Sequence, residues 1–134
     1  MKYKLKSATI SHILSIPFIW MMLVPVVILD IFLFIYQQTA LRLYEIKLVE
    51  RNQYLLMDRQ KLKYLTWYDK INCAYCGYAN GIFAYASEIA ARTEDYWCSI
   101  KHKETNKKYY APKHHYKFIE YGDEKAYKKI LNKK

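Results

Sequence analysis

At 134 residues, with a net charge of +10 and 53% hydrophobic residues, the chain has room for one small domain beside an apolar segment. Its only glycines, Gly77, Gly81 and Gly122, are too few for a P-loop or Rossmann phosphate loop, and no Gly-x-Ser-x-Gly or paired-carboxylate motif argues for a hydrolase or kinase. Three cysteines, an odd number, argue against a pure disulfide framework and for thiols kept in a reducing compartment.

Residues 1–12 form a basic N-terminal stretch carrying Lys2, Lys4 and Lys6. Residues 13–36 follow as a membrane segment with a single charge, Asp30. As a helix rising about 1.5 Å per residue, this stretch covers the roughly 30 Å hydrocarbon core with some tilt. A cleaved signal peptide is not expected, because Tyr36-Gln37-Gln38 follows in place of a small-residue cleavage site. Pro17 and Pro25 each remove a backbone donor and favour a kink. The preferred arrangement is one kinked span with Asp30 in the outer third of the bilayer. The alternative is a re-entrant hairpin turning near Pro25. Asp30 reads as an interfacial or helix-paired carboxylate sooner than as an ion site, because a charge at mid-membrane is costly. Basic residues flank both ends almost equally, with Arg42, Lys47 and Arg51 on the far side, so charge alone does not orient the segment. The reduced thiols place the C-terminal domain on the cytoplasmic face of the inner membrane.

Residues 37–57 carry Leu41, Tyr44, Leu48 and Leu55 on one helical stripe beside Arg42, Lys47 and Arg51. That pattern suits an amphipathic juxtamembrane segment in the headgroup layer, or an ordinary helix packed on its own domain. In residues 58–102, Asp58 is the expected N-cap of a helix through Leu62, Leu65, Tyr68 and Ile71, ended by Gly77. Asn80-Gly81 is the expected turn. Residues 82–92 form a second helix with Ile82, Tyr85 or Ala86, and Ile89 inward and a Glu88–Arg92 pair at i,i+4. The fold class is therefore mainly α: a membrane helix, spanning or re-entrant, followed by a small helical hairpin.

The hairpin would return Cys98 to the end that carries Cys73 and Cys76. Cys73-x2-Cys76, then residues 77–97, then Cys98-x3-His102 offers three thiolates and an imidazole, a tetrahedral shell suited to zinc and less well to iron. The expected metal ligands are Cys73, Cys76, Cys98 and His102, with His114 or His115 as an alternative fourth. A core this small needs a staple, and structural zinc contributes on the order of 10 kcal/mol in zinc-finger peptides. The competing reading is three buried, inert cysteines. Thiol–disulfide exchange at Cys73/Cys76 would want a helix N-terminus, whereas the pair falls near an expected C-terminus. Covalent c-type haem needs a histidine where Gly77 stands.

The run Asn72-Cys-Ala-Tyr-Cys-Gly-Tyr-Ala-Asn-Gly81, with Glu88-Ile-Ala-Ala-Arg-Thr-Glu94, Tyr96-Trp-Cys98 and Ile100-Lys-His102, resembles a family of small bacterial membrane-anchored proteins with no assigned activity. The likeness covers roughly residues 25–102. It implies a shared architecture and no chemistry. A proline is common in such sequences where this chain has Ser99, a change that should not disturb a ligand.

Residues 103–134 form a basic, aromatic-rich tail containing Tyr109, Tyr110, His114, His115, Tyr116 and Phe118. Attraction to anionic lipid, about 1 kcal/mol per Lys near the surface, is favoured over tracking a nucleic-acid strand; a solvated tail competes with both. Asp123 caps a short helix through Leu131. The leading expectation is a non-catalytic, membrane-anchored zinc-binding adaptor or accessory protein that works with a protein partner. A membrane-bound redox component, using Cys73/Cys76 or an iron centre, is the second expectation. A lipid- or nucleic-acid-binding module acting through the tail is the third.

Overall fold

A computed structural model describes residues 10–103 and 111–132. The protein is mainly helical. Helix α1 (Ile10–Met21) and helix α2 (Leu23–Tyr36) follow one another with only Met22 between them. A π-helical turn, Gln37–Leu41, extends α2. The break has a local cause: Pro25 has no N–H to return to the carbonyl one turn earlier, and Val26 N–H reaches back only weakly to Met22 at 3.4 Å. The chain does not reverse there, so the re-entrant hairpin is not formed. Leu14–Leu41 is instead one apolar helix, long enough to cross a membrane, with mean hydropathy 2.7 over its most apolar window and little of it buried.

The expected amphipathic helix over residues 37–57 is absent. After the π-turn Glu45 adopts φ 55°, and the chain then runs as an irregular strap with short 3-10 turns at Arg51–Gln53 and Arg59–Lys61. Side chains of the flanking helices satisfy the strap's backbone. Gln37 accepts from Val49 N–H at 2.8 Å and donates to Val49 C=O at 3.2 Å. Arg92 donates to the carbonyls of Lys47 and Leu48 at 2.7 and 3.0 Å. Arg92 also keeps its expected i,i+4 pair with Glu88, at 2.8 Å.

Helix α3 is one continuous element, Trp67–Trp97, where the sequence suggests a hairpin of two. Its N-cap is Thr66, not Asp58. Thr66 Oγ1 accepts from Asp69 N–H at 3.2 Å while the Asp69 carboxylate accepts from Thr66 N–H at 3.3 Å, a reciprocal capping box. Neither Gly77 nor Asn80-Gly81 interrupts the helix. Gly81 is there for packing: a Cβ at that position would lie 2.7 Å from the Tyr54 carbonyl oxygen of the strap.

α3 runs in the same direction as α1 and α2. Tyr75 meets Ile19 and Trp20, Ile82 packs with Val26, Tyr85 meets Gln37, and Thr93 meets Tyr36. The strap runs back between them, from Ile46 beside Leu41, past Arg51 at Asp30, to Leu56 at Gly77. The core lies along this seam: Leu41, Val49, Tyr85 and Ile89 form one cluster, and Val26, Ala79 and Ile82 the other. Burying an aliphatic side chain such as Ile82 or Ile89 contributes about 1.5–3 kcal/mol. The apolar helix therefore packs on the strap and α3 through one face.

The C-terminal region folds rather than trailing as a tail. Ile100 and Ile119 form an isolated parallel bridge, with Lys101 N–H to Ile119 C=O at 2.9 Å and Ile119 N–H to Ser99 C=O at 3.0 Å. Helix α4 (Glu124–Leu131) follows, capped by Asp123 at 2.9 Å as expected. Tyr109 and Tyr110 lie outside the described residues.

Candidate metal centre at the end of α3

The continuous helix decides the fate of the expected Cys3His site. Cys73 and Cys76 sit in the first third of α3, whereas Cys98 follows its last residue. At about 1.5 Å per residue, Cys76 and Cys98 are about 33 Å apart. The four ligands of one ion must sit within a few ångströms of each other, so this fold splits the predicted set in two. All three cysteines are free, Cys73 half-buried and Cys76 and Cys98 exposed. Cys73 and Cys76 also lie beyond the first helical turn, where the dipole would most favour a thiolate.

The other half of the set arrives somewhere useful. His102 lies next to His115, their ring centroids 5.7 Å apart, and His114 meets His115 edge to face at 4.6 Å. A 3-10 turn at Lys113–Lys117 presents both residues to the last turn of α3. There His114 Nε2 lies 2.6 Å from Glu94 Oε2, and His115 Nε2 lies 3.0 Å from Glu94 Oε1. His115 is buried, 5% exposed, and stacks on Phe118 at 4.8 Å, so its orientation is fixed by packing. One ligand atom from each of Glu94, His114 and His115 falls within 4.8 Å of the others.

Two imidazoles and one carboxylate are a recognised zinc donor set, leaving a fourth position for water or another ligand. In the protein without metal the same groups form a hydrogen-bonded cluster, each imidazole Nε2 facing the carboxylate. Burial pushes the Glu94 carboxyl up, but the hydrogen bonds from His114 and His115, with their charge, outweigh it and hold the group below the ordinary carboxylate range. A group whose folded pKa is depressed stabilises the folded state above its unfolded value, about 4.3, and loses that contribution as pH falls through the folded value. In metal-free protein the C-terminal segment should therefore hold near neutral pH and loosen in acid, as pH falls through the depressed Glu94 value. Protection of residues 113–119 from amide exchange, followed in wild type and Glu94→Gln as pH is lowered from 6, checks this; the same profile in both proteins would show that Glu94 does not hold the segment.

The cluster was only half visible in the sequence. His114 and His115 are candidates there because they are histidines near a metal motif. Glu94 gives no signal, being one more carboxylate in a helix.

A second polar centre lies on the seam. Arg51 donates to Asp30 through Nε at 3.2 Å and Nη2 at 2.6 Å, and Tyr78 donates its hydroxyl to Asp30 Oδ2 at 2.9 Å. Burial first, then the Asp30 carboxylate, pushes the Tyr78 phenol above its ordinary range, keeping it a donor at neutral pH. Asp30 is thus the helix-paired carboxylate of the sequence reading, with partners the sequence did not name.

No protein-family model matches the chain, and no curated protein or solved structure matches it.

Proposed function

We propose that the protein is a membrane-associated, non-catalytic accessory protein. In this reading a zinc ion held by Glu94, His114 and His115 locks the C-terminal segment onto the end of α3. The observation that carries it is the convergence of those three ligand atoms within 4.8 Å of one another. The ion replaces Cys73, Cys76, Cys98 and His102 as the staple, and His102 stands beside it as a nearby imidazole. Its role is structural because the ligands come from α3 and from the segment that folds back on it. An ion between them closes that loop. In this reading the C-terminal region lies on the cytoplasmic face of the inner membrane, where exposed thiols such as Cys76 and Cys98 stay reduced. The C-terminal face then serves as the surface that a protein partner reads.

Metal analysis of detergent-purified protein tests the assignment, with wild type beside a His114→Ala/His115→Ala variant and a Cys73→Ser/Cys76→Ser variant. One zinc per chain is expected in the wild type and the cysteine variant, and none in the histidine variant. Zinc lost with the cysteines instead would return the site to the thiols and overturn this reading. Because deprotonated imidazoles are needed, zinc should also leave on mild acidification.

A further inference from the structure

The apolar helix has two faces that differ in kind. Leu23, Val26, Asp30, Leu33, Gln37 and Leu41 turn toward the strap and α3. Phe18, Met21, Val24, Ile28, Phe32 and Ile35 lie about 180° away around a helix of 3.6 residues per turn, and all are exposed. The exposed face carries no charge. The covered face carries the helix's only charge, bonded inside the protein.

The strap is polar where it passes Asp30. Glu50, Asn52 and Gln53 are exposed, and Arg51 is 45% exposed while it holds Asp30. Were the helix upright in a bilayer, with Tyr36 the last residue before the polar Gln37-Gln38-Thr39, Asp30 would stand about 9 Å inside that end, within the hydrocarbon core. Glu50 and Arg51 would be carried to the same depth, together with the strap's non-helical backbone. Exposed charge and irregular backbone facing lipid are what the hydrocarbon core excludes.

We propose that the protein is monotopic: the Leu14–Leu41 helix lies in the plane of one leaflet, its exposed face in the acyl layer, with the strap and α3 on the water side. The proposal rests on the membrane association inferred above and adds its geometry. The helix alone is too uniformly apolar to be an interfacial helix; the exposed polar groups beside it come from the strap at residues 50–53, so the contrast between the two sides is created by tertiary packing. Charge complementarity agrees. Lys2, Lys4 and Lys6 precede the helix and Arg42 and Lys47 follow it. An in-plane helix offers both groups to the phosphates of one leaflet, whereas a span divides them almost evenly between two.

The experiment has two stages. Flotation of the purified full chain with vesicles of phosphatidylethanolamine and phosphatidylglycerol comes first. The protein is expected in the floated fraction; a soluble dimer that stays behind would mean a second copy covers the face and would sink both the membrane reading and this one. Side-specific labelling follows, in a variant with Cys73, Cys76 and Cys98 changed to serine and a single cysteine introduced as Ser7→Cys or Leu43→Cys. Sealed right-side-out and inverted vesicles are treated with a membrane-impermeant maleimide. Both positions should label from the same side, with at least a tenfold preference. Labelling from opposite sides would overturn the in-plane seating while leaving membrane association intact. Should the cysteine-free chain fail to fold, protease accessibility of N- and C-terminal epitope tags on the wild-type chain gives the same two-way answer.

Discussion

Replacing Gln37 by leucine is expected to destabilise the fold by about 3–5 kcal/mol. The residue is 5% exposed, and its amide serves three buried groups: Val49 N–H, Val49 C=O and the Tyr85 hydroxyl. Leucine fills a similar volume but bonds none of them. Each buried group left unsatisfied costs about 1–3 kcal/mol, and Val49 is itself only 3% exposed, which hinders rescue by water. Against a typical total stability of about 5–15 kcal/mol, that is a large fraction. Thermal unfolding of detergent-solubilised protein, followed by near-ultraviolet circular dichroism, should show a midpoint lowered by roughly 10 °C or more. Gln38→Leu, at the half-exposed neighbouring position, is the control and should fall within about 0.5 kcal/mol of wild type. Equal effects at both positions would mean that the strap is not held through Gln37.

The two glycines of α3 should answer alanine with opposite signs. On helix propensity alone, each Gly→Ala change would stabilise an exposed helix by about 1 kcal/mol. At Gly77 the new Cβ meets the Leu56 carbonyl oxygen at 3.6 Å, an ordinary contact, so Gly77→Ala should be neutral or stabilising by up to about 1 kcal/mol. At Gly81 it would stand 2.7 Å from the Tyr54 carbonyl oxygen and 3.2 Å from the Leu55 side chain. Backbone cannot swing aside as a side-chain tip can, so the strap must move. Overpacking of this kind costs about 1–3 kcal/mol, enough to reverse the propensity gain. Denaturant titrations of the two variants check the contrast. Two stabilised proteins would show that the strap does not press on α3 at Gly81.

Those glycines also show where reading the chain alone goes astray. Gly77 and Asn80-Gly81 look like a helix stop and a turn, because glycine in a helix interior is usually unfavourable. The closeness of the strap, a long-range fact, supplies the missing reason. Once α3 is continuous, the spacing that suggests a Cys3His site works against it, since residues 77–97 extend as a rod and do not fold back. The stripe of Leu41, Tyr44, Leu48 and Leu55 is misleading for a related reason. Leu41 reaches the core from the end of the apolar helix, Leu48 and Leu55 reach it from an irregular chain bonded by Gln37 and Arg92, and Tyr44 stays exposed. The Thr66–Asp69 capping box, by contrast, is written in local sequence and could have been read in advance.

What local chemistry controls is legible in the chain alone: the apolar helix and its break beside Pro25, the Glu88–Arg92 pair, the Asp123-capped helix α4, and the mainly helical class. Hydrophobic runs, proline and helix caps act over a few residues, so they are legible without the fold. Which groups meet is set by packing. It set Arg51 and Tyr78 on Asp30, laid the strap along the covered face of the apolar helix, and brought Glu94 to His114 and His115 while parting Cys73 and Cys76 from Cys98. Those pairings join residues 20 to 48 positions apart, or part residues that a hairpin would have joined. They follow from how α2, the strap and α3 pack, and periodicity does not encode that.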